Sequence, residues 1–151
     1  MLAMGATTNN WAVLYAEDEE PDRMFLERAF RKVGLGCALR TVADGQEAMD
    51  YLSGNGVYGN RDKHPLPVLV LLDLKMPLLS GFEVLEWMRG HPDLASLPVV
   101  IFTSSPRQED KERAKELGAN QYIEKPSAVA RFGDVVQRLR EKWLVGLQCR
   151  G

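Results

Sequence analysis

Val68-Leu69-Val70-Leu71-Leu72 is an unbroken apolar run that stops on Asp73 and is followed by Leu74-Lys75-Met76-Pro77. A run with no polar alternation does not suit a strand with one wet face. It fits a strand covered by helices on both sides. Asp73 then stands at that strand's carboxyl end, the edge on which open α/β sheets bind their ligands. The plainer reading of a lone acid here is a loop cap ahead of Pro77, and only residues from elsewhere in the chain can decide between the two.

A second mostly apolar stretch, Trp11-Ala12-Val13-Leu14-Tyr15-Ala16, also ends on acid, Glu17-Asp18-Glu19-Glu20, before Pro21. Pro21 suits the first turn of a helix and the acids suit its positive end, so helix chemistry alone also explains the cluster. Over residues 22–33, Leu26, Ala29, Phe30 and Val33 share one helical face, and Gly34 and Gly36 stop it. Leu39-Arg40-Thr41-Val42 alternates as an edge strand does. Asp44-Gly45 turns the chain into a short helix over 46–52 with Ala48, Met49 and Leu52 inward. Residues 53–67, rich in Gly, Asn and Pro, read as a long loop and surface insertion in which His64 is solvated.

Beyond Asp73, residues 81–89 form a helix that offers Phe82, Leu85 and Met88, or Val84, Trp87 and Met88, to the core before Gly90 stops it. The turn His91-Pro92-Asp93 is assigned no chemistry. Pro98-Val99-Val100-Ile101-Phe102 is a third buried strand, ending in Thr103-Ser104-Ser105-Pro106. Residues 108–117 are strongly charged, with Ala114 and Leu117 as apolar points, and read as a solvated helix. Gln121-Tyr122-Ile123 is a short strand running into Glu124-Lys125-Pro126. The last helix starts near Ser127 with Val129, Phe132, Val136, Leu139 and Trp143 at helical spacing.

Strand and helix alternate throughout, which predicts an α/β chain: a flavodoxin-like, doubly wound, five-stranded parallel sheet with five helices. Continuous apolar runs belong in the middle of such a sheet and alternating or short ones at its edges. With right-handed crossovers this gives the strand order 2-1-3-4-5. The 151 residues suit one domain over 11–151, with a C-terminal helical extension, preceded by a disordered or cloning-derived lead over 1–10. Nineteen Lys and Arg against 21 Asp and Glu leave a net charge of -2, which offers no broad attraction for nucleic acid or an anionic membrane. Cys37 and Cys149 stand far apart without Cys-x-x-Cys spacing, which argues against a disulfide scaffold or a zinc site and for a reducing cytoplasm. No apolar run reaches the roughly eighteen residues of a membrane span.

In that sheet the carboxyl ends of strands one, three, four and five converge, delivering Glu17 and Asp18, Asp73, Thr103 and Lys125 to one edge. Two unit charges about 4 Å apart repel by about 4 kcal/mol at an effective dielectric of 20, so three carboxylates there need a counter-charge. A hard divalent cation held by oxygens, Mg²⁺ or Mn²⁺, fits that demand. Lys125 adds a point positive charge and Thr103 a hydroxyl donor, as a phosphoryl group beside a metal requires. Asp73 then reads as a nucleophile that takes up phosphate.

Glu17-Asp18, Asp73 with Met76-Pro77 and Gly81, Thr103-Ser104, and Lys125-Pro126 resemble, in order and spacing over residues 11–143, the receiver domain of two-component response regulators. The resemblance implies a phosphoacceptor at Asp73 that receives phosphate from a sensor kinase histidine. It implies metal ligands at Glu17, Asp18, Asp73 and the Lys75 backbone carbonyl. Thr103 would be the switch hydroxyl, Tyr122 the aromatic that follows it, Lys125 the lysine that pairs with phosphate, and Lys125–Pro126 a cis peptide bond. The long 53–67 loop and the Trp143-Leu144 tail resemble the stand-alone regulators paired with bacterial phytochrome kinases. No DNA-binding or enzymatic segment is expected. Such regulators commonly form homodimers through the last helix and tail, where Val135, Leu144 and Leu147 either serve that contact or pack within their own molecule.

Three rival readings use the same residues. A phosphatase of the haloacid dehalogenase class also has a strand-end Asp, a later Thr, a Lys and Mg²⁺, but needs an acid two residues beyond the nucleophile, where this chain has Lys75. A receiver-shaped binding module that is never phosphorylated would have no use for the intact acid set. A flavin-binding protein would need a Ser/Thr/Gly-rich turn where Glu17-Asp18-Glu19-Glu20 stands.

Overall fold

A computed structural model describes residues 11–35 and 38–145 of the chain. The expectations for the 1–10 lead, Gly36, Cys37, Leu147 and Cys149 lie outside these residues. The strands are β1 (Ala12–Ala16), β2 (Ala38–Val42), β3 (Leu69–Leu72), β4 (Val99–Thr103) and β5 (Gln121–Glu124). The helices are α1 (Glu20–Val33), α2 (Gly45–Ser53), α3 (Gly81–Arg89), α4 (Gln108–Glu116) and α5 (Phe132–Trp143). All strand pairs are parallel in the order β2-β1-β3-β4-β5, which is the expected 2-1-3-4-5.

The strand pleat divides the core into two layers. Val13, Tyr15, Leu69, Leu71, Val100 and Phe102 face α1 and α5, while Leu14, Ala16, Val70, Leu72, Val99 and Ile101 face α2, α3 and α4. Every residue of β1, β3 and β4 is buried, as their unbroken apolar runs require, and the edge strand β2 is only half-buried along most of its length.

Where the helices differ from expectation, a wider buried stripe or a tertiary contact explains it. In α2, Tyr51 is buried with Ala48 and Leu52, and its hydroxyl donates to the Pro65 carbonyl at 2.8 Å. In α3 the buried stripe is Val84, Leu85 and Met88, with Phe82 and Trp87 packed at its margin. The chain enters α5 through a 3₁₀ turn (Val129–Arg131) that leaves Val129 51% exposed, so Val129 is not part of the core stripe. Val135 and Leu144 are buried in the α1–α5 core of the same molecule, which takes both out of any dimer contact.

The 53–67 segment is built rather than loose. Arg61 donates to the carbonyls of Tyr51, Leu52 and His64, closing the end of α2. Tyr58, in a 3₁₀ turn (Gly56–Gly59), donates to Glu47 at 2.8 Å. His64 is not freely solvated: its ring meets those of Tyr58 and Tyr51 edge-on at 5.0 and 6.0 Å. Lys125–Pro126 is trans, against the cis bond the resemblance implied. Trans is favoured intrinsically by roughly 0.5–1 kcal/mol, and from it the Lys125 ammonium already reaches its carboxylate partners.

The connection from β3 to α3 is tight in two places. A Cβ on Gly81 would lie 2.3 Å from the Asp73 carbonyl oxygen, closer than any real contact. Leu78 adopts a φ of 71° with the Leu79 amide donating to the Pro77 carbonyl at 2.8 Å, a strained three-residue turn that leaves the leucine 76% exposed. Gly81→Ala is therefore expected to destabilise the fold by about 1–3 kcal/mol in urea unfolding, since a backbone oxygen cannot step aside. Leu78→Gly is expected to stabilise by up to about 1 kcal/mol in the same measurement, because glycine adopts that φ without penalty and little packing is lost.

Candidate functional site

Backbone pairing sets the carboxyl edge of the sheet. The Glu17 amide donates to the Val42 carbonyl at 2.9 Å and the Asp73 amide to the Ala16 carbonyl at 3.1 Å, which puts the end of β3 beside that of β1. The Lys125 amide donates to the Thr103 carbonyl at 2.7 Å, which does the same for β5 and β4. Glu17, Asp73 and Thr103 are buried at this edge, and Asp18 beside them is exposed.

The side chains converge as expected from the sequence. Oxygens of Glu17, Asp18 and Asp73 lie within 4.8 Å of one another. Lys125 reaches across from β5, and its Nζ donates to Glu17 Oε1, to Asp73 Oδ2 at 2.9 Å and to Asp22 Oδ2 at 2.7 Å. Glu17 also accepts from the Tyr15 hydroxyl at 3.0 Å and from the Glu19 amide at 3.1 Å. The Lys75 amide points at Asp73 Oδ1 from 3.4 Å, a long contact, and the Lys75 side chain turns to solvent. The position two residues beyond Asp73 therefore holds no acid, and the general acid/base of the phosphatase reading is missing.

Two participants escaped the sequence reading. Asp22, which no motif in the sequence singles out, is the third carboxylate on Lys125. It sits one turn ahead of Leu26 on the inward stripe of α1, a signal present in the sequence. Arg23 donates from Nη1 to the Glu17 carbonyl at 2.7 Å and so pins the loop that carries both Glu17 and Asp18. Nothing in its spacing marks it out, because the bond goes to backbone.

The charges are unevenly matched. Burial pushes the Glu17 carboxyl up to about 8, with Asp73 adding to the rise and Lys125 opposing it. Asp73 lies below the usual carboxylate range: burial acts to raise it, and Glu17, Lys125 and Thr103 together outweigh that effect. Lys125 is raised despite its burial, through Asp22, Glu17 and Asp73. One ammonium thus faces four carboxylates, counting Asp18, and the all-oxygen donor set is one a hard divalent cation fits.

Tyr122 does not touch Asp73. Its hydroxyl donates to the Ser105 carbonyl at 2.8 Å, and the Ser105 amide makes a long contact of 3.5 Å with Thr103 Oγ1, so Tyr122 is joined to Thr103 through one residue. Ser105 also donates through Oγ to Asp110 Oδ2 at 2.6 Å, tying the same loop to α4.

Known proteins resemble this chain in sequence and fold. The response regulator receiver domain profile matches residues 13–137. The probable methanogenesis regulatory protein FilR2 of Methanothrix harundinacea is 33% identical over 87% of this chain and 83% of its own. Response regulator Rcp1 of Synechocystis is also 33% identical, over 87% of this chain and 88% of its own. A Mn²⁺-bound crystal structure of response regulator Rcp1 matches with a TM-score of 0.81 at 30% identity, covering 93% of this chain and 99% of that one. The phosphorylated cyanobacterial phytochrome response regulator RcpA matches with a TM-score of 0.82 at 32% identity, covering 89% and 94%. Fold, acid edge and sequence agree, and the chain belongs to the response regulator receiver domain family.

Proposed function

We propose that Asp73 is the phosphoacceptor of a two-component phosphorelay and that Thr103, Tyr122 and Lys125 turn its phosphorylation into a change of binding surface. The observation that carries this reading is the buried Lys125 ammonium 2.9 Å from Asp73, with oxygens of Glu17 and Asp18 within 4.8 Å of an Asp73 oxygen. In the transfer, an Asp73 carboxylate oxygen attacks the phosphorus of a sensor kinase phosphohistidine. The P–O bond to Asp73 forms as the P–N bond breaks, and the imidazole leaves with the electron pair of that bond.

Lys125 is placed to pair with the phosphoryl oxygens, and Thr103 to donate its hydroxyl to them. Once Thr103 turns toward the phosphoryl group, the Ser105 segment that Tyr122 holds is free to follow, and α4 follows through Asp110. Glu17, Asp18, Asp73 and the Lys75 carbonyl are the proposed ligands of Mg²⁺, with Mn²⁺ able to substitute. Bound there, it would screen the repulsion between the Asp73 carboxylate and the incoming phosphoryl oxygens.

The partner we assign is a sensor histidine kinase, and the likeness to RcpA, a cyanobacterial phytochrome response regulator, favours one of the phytochrome type. We place the protein in the cytoplasm as one domain over 11–151 that accepts phosphate without turnover and does not bind DNA directly. Among the described residues no helix is long and apolar enough to cross a membrane. A homodimer through the end of α5 would have to use residues other than Val135 and Leu144.

Incubation with Mg²⁺ and a phosphorylated sensor kinase, or a small phosphodonor, is expected to place a base-labile label on the wild type and none on Asp73→Asn. A binding module that is never phosphorylated would leave both unlabelled, and steady release of phosphate would favour a phosphatase. The raised Glu17 gives a second expectation. Burial favours the protonated form of its carboxyl in the metal-free protein, so metal binding competes with a proton there. Apparent Mg²⁺ affinity should therefore rise from pH 6 to pH 8, approaching tenfold per unit at the steepest, with proton release seen by calorimetry in buffers of different ionisation enthalpy. The dependence should disappear in Glu17→Gln, whose weaker binding no longer involves that proton.

A further inference from the structure

Lys125 has three N–H bonds, and each is given a carboxylate: Glu17, Asp73 and Asp22. Any phosphoryl oxygen that takes a Lys125 hydrogen bond must first displace one of them. Glu17 is buried and held by Tyr15 and the Glu19 amide as well. Asp73 is the reacting group. Asp22 is different in kind. It stands in the first turn of α1, a quarter of its side chain is open to solvent, and Lys125 is its only hydrogen-bonding partner among the described residues. It also lines a cleft of about 400 Å³ with Lys125, Ser104, Pro106, Ser127 and Glu124, and because Glu124 is paired with Lys111 at 3.1 Å, Asp22 is the acid there whose charge bears on the ammonium.

On the reading that Asp73 accepts phosphate, we infer that Asp22 is a positioning and specificity residue for that reaction. It holds the Lys125 ammonium in reserve until a phosphoryl group displaces it, and its charge, which shares that ammonium with Asp73, disfavours free anionic phosphodonors. A donor group delivered by a docked protein brings its own binding energy to offset that repulsion. A small dianion does not. Asp22 is the partner that yields because it is the most exposed of the three and has nothing else to hold it. An acid in the first turn of α1 also suits the helix dipole, so a small loss of stability on its removal would say nothing about this role.

The test compares initial labelling rates with acetyl phosphate, a dianion, and phosphoramidate, which carries less negative charge. In each case the P–O bond to Asp73 forms as the donor's bond to phosphorus breaks, releasing acetate or ammonia. Wild type, Asp22→Asn, Asp22→Glu and Asp73→Asn are assayed at equal Mg²⁺ and ionic strength, with a thermal melt of each. Asp22→Asn should be labelled about three- to tenfold faster with acetyl phosphate and gain less with phosphoramidate, so the ratio of the two rates shifts, and added salt should shrink the difference. Asp22→Glu should keep the wild-type ratio. An unchanged ratio in a folded Asp22→Asn, or a loss of rate with both donors alike, would overturn the inference while leaving Asp73 as the acceptor. An unlabelled wild type, or label that persists in Asp73→Asn, would instead overturn the phosphoacceptor reading, and this inference with it.

Discussion

One buried ammonium holds the carboxyl edge of this sheet together. Without Lys125, the closely set carboxylates of Glu17, Asp22 and Asp73 would face one another with no positive charge among them. At separations near 4 Å any two of these acids ionised together repel by about 4 kcal/mol at an effective dielectric of 20, a large fraction of a small domain's stability, and Glu17, pushed up to about 8, escapes part of that cost. The shifts follow from this geometry: Glu17 is pushed up by burial, Asp73 is held low, and Lys125 is raised by the acids that surround it. An edge so deficient in positive charge is ready for a cation and for a group that rearranges the pairing of Lys125.

The rest of the fold serves to bring these charges together across long stretches of chain. Lys125 is 108 residues from Glu17 and 52 from Asp73, and local structure cannot join them. Parallel pairing in the order β2-β1-β3-β4-β5 does so by placing the ends of β1 and β3 side by side, with β4 and β5 beyond. Burial of β1, β3 and β4 on both faces leaves their carboxyl ends little freedom, so the acids arrive already fixed. The parts that would move in the proposed switch are correspondingly few: the Thr103 hydroxyl rather than its backbone, the loop through Ser105, and Tyr122 at its far end.

The sequence revealed most where apolar runs end on chemistry. Leu72 to Asp73, Ala16 to Glu17 and Phe102 to Thr103 each mark the point where a buried strand meets the site, and strand order followed from which runs were unbroken. What the sequence hid depended on tertiary contact. Asp22 belongs to no motif and gains its place in the site only from Lys125 beside it, and Arg23 works on a backbone carbonyl that no spacing rule can mark. The 53–67 segment lacks periodicity because its order comes from Arg61 closing α2 and from ring contacts among Tyr51, Tyr58 and His64. Val135 joins the buried stripe because α5 packs a wider face than the expected positions cover, and Val129 leaves it because the α-helix begins only at Phe132.

Membership of the receiver family and the charge arrangement point to the same event, formation of an acyl phosphate on the strand-end acid. Borohydride reduction of the phosphorylated protein followed by peptide mapping tests it most directly, since hydride converts an aspartyl phosphate into homoserine and leaves a free carboxylate untouched. The account predicts homoserine at position 73 and nowhere else, dependent on Mg²⁺ and on the phosphodonor. Homoserine at Asp18 or Asp22, or none in a protein that carries stoichiometric phosphate, would contradict it.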